Sequence, residues 1–206
     1  MTEPRQRGAS AEAPAAILLA PGAGSGRDHP GLVAMEEALV PLPVARMDFP
    51  YRREGRRFPD RAPVLVAAVV REAESLAHRA GVGTPRLVLG GRSMGGRMCS
   101  MAVAEGLAAA ALVLVGYPLH PPERPDRLRV AHLPHIGVPC LFVSGTRDRF
   151  ASRVELEAAT DVIGGPVTHV WLDGRDHQLK GADGEVATAV AAWVRSLAPE
   201  GAGPRG

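Results

Sequence analysis

The sequence predicts an α/β fold, an open and mostly parallel sheet with helices on both faces. Three observations carry that expectation. Six short apolar runs recur along the 206 residues, most of them are separated by stretches of helical periodicity, and reactive side chains gather just after the runs. Runs that are apolar at every position, rather than at alternate ones, suit strands covered on both sides, as inside a parallel sheet. Ligands of such sheets bind beyond the carboxyl ends of the strands, so the segments that follow each strand are where function is sought.

The elements follow in order. AAILLA (15–20) is the first strand, and PGAGSGRDHP follows it. PVARMDF (43–49) is the second, leading into the arginine-rich FPYRREGRRFPDR. From Ala62 to Ala80, apolar residues recur at Val66, Val69, Val70, Ala73, Leu76, Ala77 and Ala80, a 3.6-residue period. Pro63 suits the first turn of that helix and Asp60 is its expected cap. RLVLG (86–90) is the third strand and residues 94–107 the helix after it, with Met94, Met98 and Met101 at core-facing spacing. ALVLVG (111–116), PCLFVSG (139–145) and VTHVWLD (167–173) complete the strands, and residues 152–161 and 184–197 read as further helices.

The bulk numbers bound the function classes. Hydrophobic residues make up 46% of the chain and the mean hydropathy is zero, which fits one soluble domain with a sizeable core. A net charge of +2 provides no field to steer the protein to nucleic acid or a membrane surface. Cys99 and Cys140 stand in apolar runs with no disulfide framework and no metal spacing, so both are expected to be buried thiols. Residues 1–14 are expected to be a disordered N-terminal segment, 15–198 a single domain and 199–206 a flexible tail. The apolar run at 15–20 is too short for a signal segment or a membrane span, which makes the cytoplasm the expected compartment.

The chemistry concentrates at three strand ends. Gly91-Arg92-Ser93-Met94-Gly95 fits G-x-S-x-G between a strand and a helix. A sharp turn there strains the serine backbone and lifts its hydroxyl, while larger flanking residues would collide with the neighbouring strand and helix. A serine hydroxyl is a weak nucleophile until a base takes its proton and an acid orients that base. On this architecture the order is Ser, acid, His. Asp148 follows the fifth strand and His177 the sixth, so type, order and placement agree. Asp176, adjoining His177 in sequence, and Asp173 are the other acids to weigh. His169 lies within a strand and reads as a core histidine, whereas His29, His120, His132 and His135 are loop residues.

Acyl transfer also needs donors for the oxyanion. The backbone N–H of Met94 is one expected donor; Ala23 N–H, with Gly24 as the alternative, is the second. Gly22, Gly24, Arg92 and His120 are expected to line the substrate site. The Pro21–Gly26 loop also admits a dinucleotide reading, with Gly22-x-Gly24 and Asp48 at the end of the next strand, but Arg27 stands where the third glycine belongs. A P-loop is excluded, because Lys180 is the only lysine and no glycine-rich loop precedes it. Arg52, Arg53, Arg56, Arg57 and Arg61 form the one basic cluster; a solvated loop is the simpler reading, an anionic substrate or partner the functional one.

Several segments resemble one family. LLAPGAGSGRDHP (18–30), MDFPYRREGRRFPDRAP (47–63), GGRSMGGRMCS (90–100), GYPLHPP (116–122) and SGTRDRF (144–150) resemble the bacterial branch of the KANL3/Tex30-like hydrolases, relatives of the dienelactone hydrolases. The resemblance runs from Ala15 to Leu197; the elbow is common to all α/β-hydrolases, while DFPY, GRR and GYPLHPP point to this branch. It implies a minimal α/β-hydrolase fold. Two departures stand out: Pro21-Gly22 replaces the His-Gly of many relatives, and residues 1–14 show no pattern for the two extra antiparallel strands that usually open the fold. Animal relatives include a regulatory subunit of a chromatin complex, so a non-catalytic interaction module is the alternative.

The expected function is a serine hydrolase acting on a small ester, thioester or related acyl compound, with Ser93 as nucleophile, His177 as base and Asp148 as orienting acid. It needs no cofactor or metal. Tyr117 to Gly137 is too short for a large lid, which favours small or exposed acyl groups over long lipids.

Overall fold

A computed structural model describes residues 13–198; the expectations for residues 1–12 and 199–206 lie outside the described residues. The six strands are β1 (Ala16–Ala20), β2 (Val44–Arg46), β3 (Leu87–Arg92), β4 (Ala111–Val115), β5 (Cys140–Gly145) and β6 (Val167–Leu172). All pair in parallel, in the order β2-β1-β3-β4-β5-β6. Helices cover both faces of this open, all-parallel sheet as the sequence predicts, and among the described residues no large lid stands over it.

The continuous apolar runs are explained by two cores, one on each face. Along β1, Ala16, Leu18 and Ala20 pack with Val66, Val69 and Leu76 of α3 (Ala62–Arg79) and with Met98 of α4 (Met94–Ala104). Ile17 and Leu19, pointing the other way, pack with Leu32 and Met35 of α1 (Pro30–Leu39) and Val190 of α6 (Asp183–Ser196). Alternate side chains of one strand feed both layers, which is why β1 is apolar at every position. Leu156 of α5 (Arg153–Thr160) joins the α3/α4 side. Met98 is buried, and Met94 and Met101 pack partly buried against the same core.

Two helices were not anticipated. α1 begins with Pro30 and is capped by His29, whose Nδ1 accepts from the Gly31 N–H at 3.0 Å. Its buried Leu32, Met35 and Leu39 do hold helical spacing, but the Asp-His-Pro-Gly lead-in reads as a turn. The one-turn α2 (Pro50–Arg53) lies inside the arginine-rich segment and buries Tyr51. β2 is shorter than the apolar run that announced it: past Arg46 the ladder ends with the Met47 N–H on the Leu19 carbonyl at 3.0 Å, although Met47 and Phe49 stay buried. β6 is an edge strand, partly exposed along most of its length. Asp60 does not cap α3: its carboxylate takes both Nη atoms of Arg56, at 2.7 and 3.1 Å, and Arg61 stands at the cap position. With Pro63 near the start of that helix, one of the N–H groups a cap would satisfy is missing.

The strand order places the site. From β1 the chain first moves outward to β2 and then returns across β1 to β3, so the connections leaving β1 and β3 diverge. The crevice at that switch point is where open α/β sheets bind ligands. The Pro21–Gly26 loop and Ser93 both stand there. Among the described residues, no helix is long and apolar enough to cross a membrane.

Candidate active site

The elbow forms because the chain reverses tightly between β3 and α4. Ser93 sits at φ 47° and ψ −117°, a left-handed conformation held by its N–H on the Val115 carbonyl at 2.8 Å and by the Arg97 N–H on its own carbonyl at 3.1 Å. A Cβ on Gly91 would stand 2.0 Å from the Ala20 carbonyl oxygen, and one on Gly95 2.3 Å from the same atom. The glycines are therefore a steric requirement of β1 passing directly behind the turn.

The raised hydroxyl meets an imidazole. Ser93 Oγ lies 2.9 Å from His177 Nε2, and His177 Nδ1 lies 2.8 Å from Asp148 Oδ2. A carboxylate only accepts, so Nδ1 carries the proton and Nε2 presents a lone pair to the serine. The other Asp148 oxygen accepts the Phe150 N–H at 2.8 Å, and the carboxylate side chain is 1% exposed. Phe150 also stacks on the imidazole, with ring centroids 3.9 Å apart. Arg92 braces the far side of the loop, donating from Nη2 to the Gln178 carbonyl at 2.6 Å while Nη1 lies 3.8 Å from Asp183. Burial is the main influence lowering the Arg92 pKa from its ordinary value, and Asp183 opposes it.

The two residues expected to donate backbone N–H groups border the same space. The Gly22 carbonyl accepts from Ser25, through N–H at 3.2 Å and Oγ at 3.3 Å. In a trans peptide the N–H points opposite to the carbonyl, so the Ala23 N–H turns away from that turn. The Ala23 carbonyl in turn accepts from Tyr51 OH at 2.7 Å. Neither the Ala23 N–H nor the Met94 N–H has an acceptor among the described residues. Both residues line a cavity of about 690 Å³ that also exposes Ser93 and His177.

A family model described as "Alpha/beta hydrolase domain" matches residues 13–198. The chain belongs to the alpha/beta hydrolase family. Solved structures agree on the fold. Dienelactone hydrolase from Anabaena variabilis is 23% identical, with 89% of this chain and 87% of that one covered, at a TM-score of 0.72. Est1E from Butyrivibrio proteoclasticus is 17% identical over 91% of this chain and 89% of its own, with a TM-score of 0.71. TT1662 from Thermus thermophilus is 21% identical, covering 90% of each chain, at a TM-score of 0.70.

Within this hydrolase domain the expected residues fall into place unevenly. Gly22, Ala23, Gly24, Arg92, Ser93, Met94 and His177 all line the cavity, and Asp148 stands behind the histidine. Of the competing acids, Asp176 is exposed and accepts the Gln178 N–H at 3.0 Å, and Asp173 accepts from Thr146 Oγ1 at 3.1 Å. His120 is a correction: it is not among the cavity-lining residues. Its ring is buried, with Nδ1 2.9 Å from the Pro121 carbonyl and Nε2 3.6 Å from Glu155, and its N–H on the Phe150 carbonyl at 3.1 Å holds the backbone there. His169 pairs its Nε2 with Thr160 Oγ1 at 3.0 Å and stacks between Phe142 and Trp171, as a core histidine does. Asp48, the acid of the dinucleotide reading, instead accepts the Arg27 N–H at 2.8 Å and so ties the loop after β1 to the segment after β2. In the basic cluster, Arg53 at the end of α2 pairs with Glu72 of α3, and Arg56 pairs with Glu54 and Asp60 in the loop between the two helices. The thiols of Cys99 and Cys140 are buried, which pushes each up to about 12.

Other lining residues escaped the sequence reading: His29, Arg97, Pro118, Arg129 and Phe150. Arg97 was within reach, since it lies one helical turn after Ser93 and therefore on the same side of α4. Pro118 and Arg129 come from the irregular stretch between β4 and β5, where no periodicity announces a direction. Among the described residues, no group of three or more His, Cys, Asp and Glu side chains is placed to hold a metal ion.

Proposed function

We propose that this domain is a serine hydrolase that cleaves small esters, thioesters or related acyl compounds through an acyl-enzyme on Ser93. The observation that supports it best is the unbroken chain from Ser93 Oγ to His177 at 2.9 Å and from His177 to Asp148 at 2.8 Å. In this reading His177 Nε2 takes the hydroxyl proton as Ser93 Oγ bonds to the substrate carbonyl carbon. The carbonyl oxygen gathers negative charge, which the N–H groups of Met94 and Ala23 hold without reorganising. The imidazolium returns its proton to the departing alcohol or thiol, and the C–O or C–S bond breaks. Water repeats the sequence, giving its proton to His177 and its oxygen to the acyl carbon, and Ser93 is released. Asp148 stays ionised throughout and stabilises the charged imidazole.

The open cavity of about 690 Å³ and the short β4–β5 segment favour compact acyl groups. Within the family we place the chain on the KANL3/Tex30-like branch, on the strength of its DFPY and GYPLHPP segments: Tyr51 of the first braces the Ala23 loop, and Pro118 of the second lines the cavity.

The test is a fluorophosphonate probe followed by identification of the modified residue. Labelling falls on Ser93, vanishes in Ser93→Ala and drops steeply in His177→Ala. Asp148→Asn lowers kcat on p-nitrophenyl acetate by about 10⁴-fold, the loss seen when the orienting acid of such a triad is neutralised. Folded protein that takes no label would favour a non-catalytic interaction module instead.

A further inference from the structure

The cavity wall around Ser93 carries positive charge that hydrolysis of a neutral ester does not use. Three arginines line it, Arg92, Arg97 and Arg129, and no aspartate or glutamate does. Arg92 is committed to Asp183 and to the Gln178 carbonyl. Arg97 and Arg129 are not: among the described residues neither has a carboxylate within salt-bridge distance. Arg97 Nε is buried without a hydrogen-bond partner, and the one side-chain bond of Arg129 reaches the Pro118 carbonyl at 3.2 Å.

The two guanidiniums also feel each other. Burial first, and Arg97 second, lower the pKa of Arg129. A partly buried cation beside a like charge, with no counterion, is unfavourable unless an anion completes it. The fold nevertheless anchors the backbone at both positions through one small network. Ser100 Oγ donates to the Arg97 carbonyl at 2.8 Å, and Tyr117 OH donates to the Arg129 carbonyl at 2.9 Å. His132 Nε2 lies between them, 2.8 Å from Ser100 Oγ and 3.3 Å from Tyr117 OH. Both hydroxyl protons are already given to carbonyls, so the imidazole is the donor to Ser100. Burial, Arg97 and His135 push His132 down to about 4, so it adds no third charge to the pair at neutral pH.

We propose that Arg97 and Arg129 form an anion subsite of the cavity, and that the preferred substrate is an acyl compound carrying a second, carboxylate-type group. The proposal rests on the serine-hydrolase reading of the same site and adds the substrate class. Paired guanidiniums offer the forked N–H geometry that matches a carboxylate, and such charge-assisted bonds are about twice as strong as neutral ones. The substrate anion replaces the missing counterion, while its ester carbonyl reaches Ser93 in the same cavity.

Turnover of three esters tests this: neutral p-nitrophenyl acetate, the mono-p-nitrophenyl ester of glutarate with its anion on the acyl side, and 4-acetoxybenzoate with its anion on the leaving group. The expected result is a kcat/KM for at least one anionic ester about 10-fold or more above that of the neutral one, with Arg97→Gln and Arg129→Gln each collapsing that ratio. Equal values for all three esters overturn the subsite, and so does a preference that survives both substitutions. A second measurement separates this failure from failure of the hydrolase reading. In Ser93→Ala, calorimetry compares the binding of monomethyl glutarate with that of dimethyl glutarate. Tighter binding of the half-ester, lost in the Ser93→Ala/Arg97→Gln double variant, supports the subsite even if no turnover is found. Equal binding of the two overturns it even if Ser93 takes the fluorophosphonate label.

Discussion

Ser93 holds a backbone conformation that costs an L-residue about 1–3 kcal/mol, and only the surrounding structure keeps it there. Glycine adopts such angles freely. Comparing two variants that both lack the hydroxyl isolates that strain: Ser93→Gly unfolds at a higher temperature than Ser93→Ala, although glycine loses more chain entropy on folding. Equal or reversed melting temperatures would show that the elbow stores little energy. Gly95 gives the opposite case. Its Cβ position is 2.3 Å from the Ala20 carbonyl oxygen, part of a central strand that cannot retreat, so Gly95→Ala lowers stability by more than about 3 kcal/mol or prevents folding. Chemical denaturation midpoints read that directly. Both glycines and the serine were legible in the sequence because the constraint is local: five consecutive residues carry the turn. The choice among Asp148, Asp173 and Asp176 was less so. All three follow strands, and only the packing of the 174–178 loop against the end of β5 brings Asp148 under the imidazole.

At the scale of elements, α2 shows how a single turn of helix serves the site. It buries Tyr51, whose hydroxyl donates to the Ala23 carbonyl at 2.7 Å and so fixes the plane of the loop expected to hold the oxyanion. Tyr51→Phe leaves that carbonyl without its donor while keeping the ring in the core, where it stacks with Phe49. Under the proposed mechanism, kcat on p-nitrophenyl acetate falls about 10-fold with little change in KM, because the lost alignment is felt mainly in the transition state. A rise in KM at constant kcat would make Tyr51 a substrate contact instead. The sequence marked this segment only by its arginines, and the salt bridges of Arg53 and Arg56 to nearby carboxylates leave the buried tyrosine as its link to the site. α1 went unread for a related reason: proline, glycine and histidine at its start look like a loop until the docking of Leu32, Met35 and Leu39 on the sheet makes a helix of it.

For the whole molecule, partly buried histidines tie stability to pH. Burial is the first cause lowering the pKa of His29, His132 and His169, and His132 falls to about 4 from the ordinary 6.5. Between those values the unfolded chain binds a proton that the folded chain refuses, so stability is full above about pH 6.5 and declines as the pH drops toward 4. Urea midpoints at pH 7 and pH 4.5 measure the decline, and His132→Gln makes it shallower. An unchanged slope in that variant would mean that His132 titrates normally in the folded protein.

The amino-acid pattern by itself determined the layered α/β architecture, the position of each strand and the elbow around Ser93. Those features depend on residues close in the chain, whether as apolar runs, helical periods or a five-residue turn. What only the tertiary structure decided lies across large sequence separations. The β2-β1-β3 switch sets the Pro21–Gly26 loop beside Ser93, and the end of β5 sets Asp148 under a histidine 29 positions later. The chain between β4 and β5 carries Arg129 to the cavity that Arg97 also lines, where no aspartate or glutamate among the described residues joins them. Such meetings follow from strand order and loop packing, and neither has a local period from which it could be read.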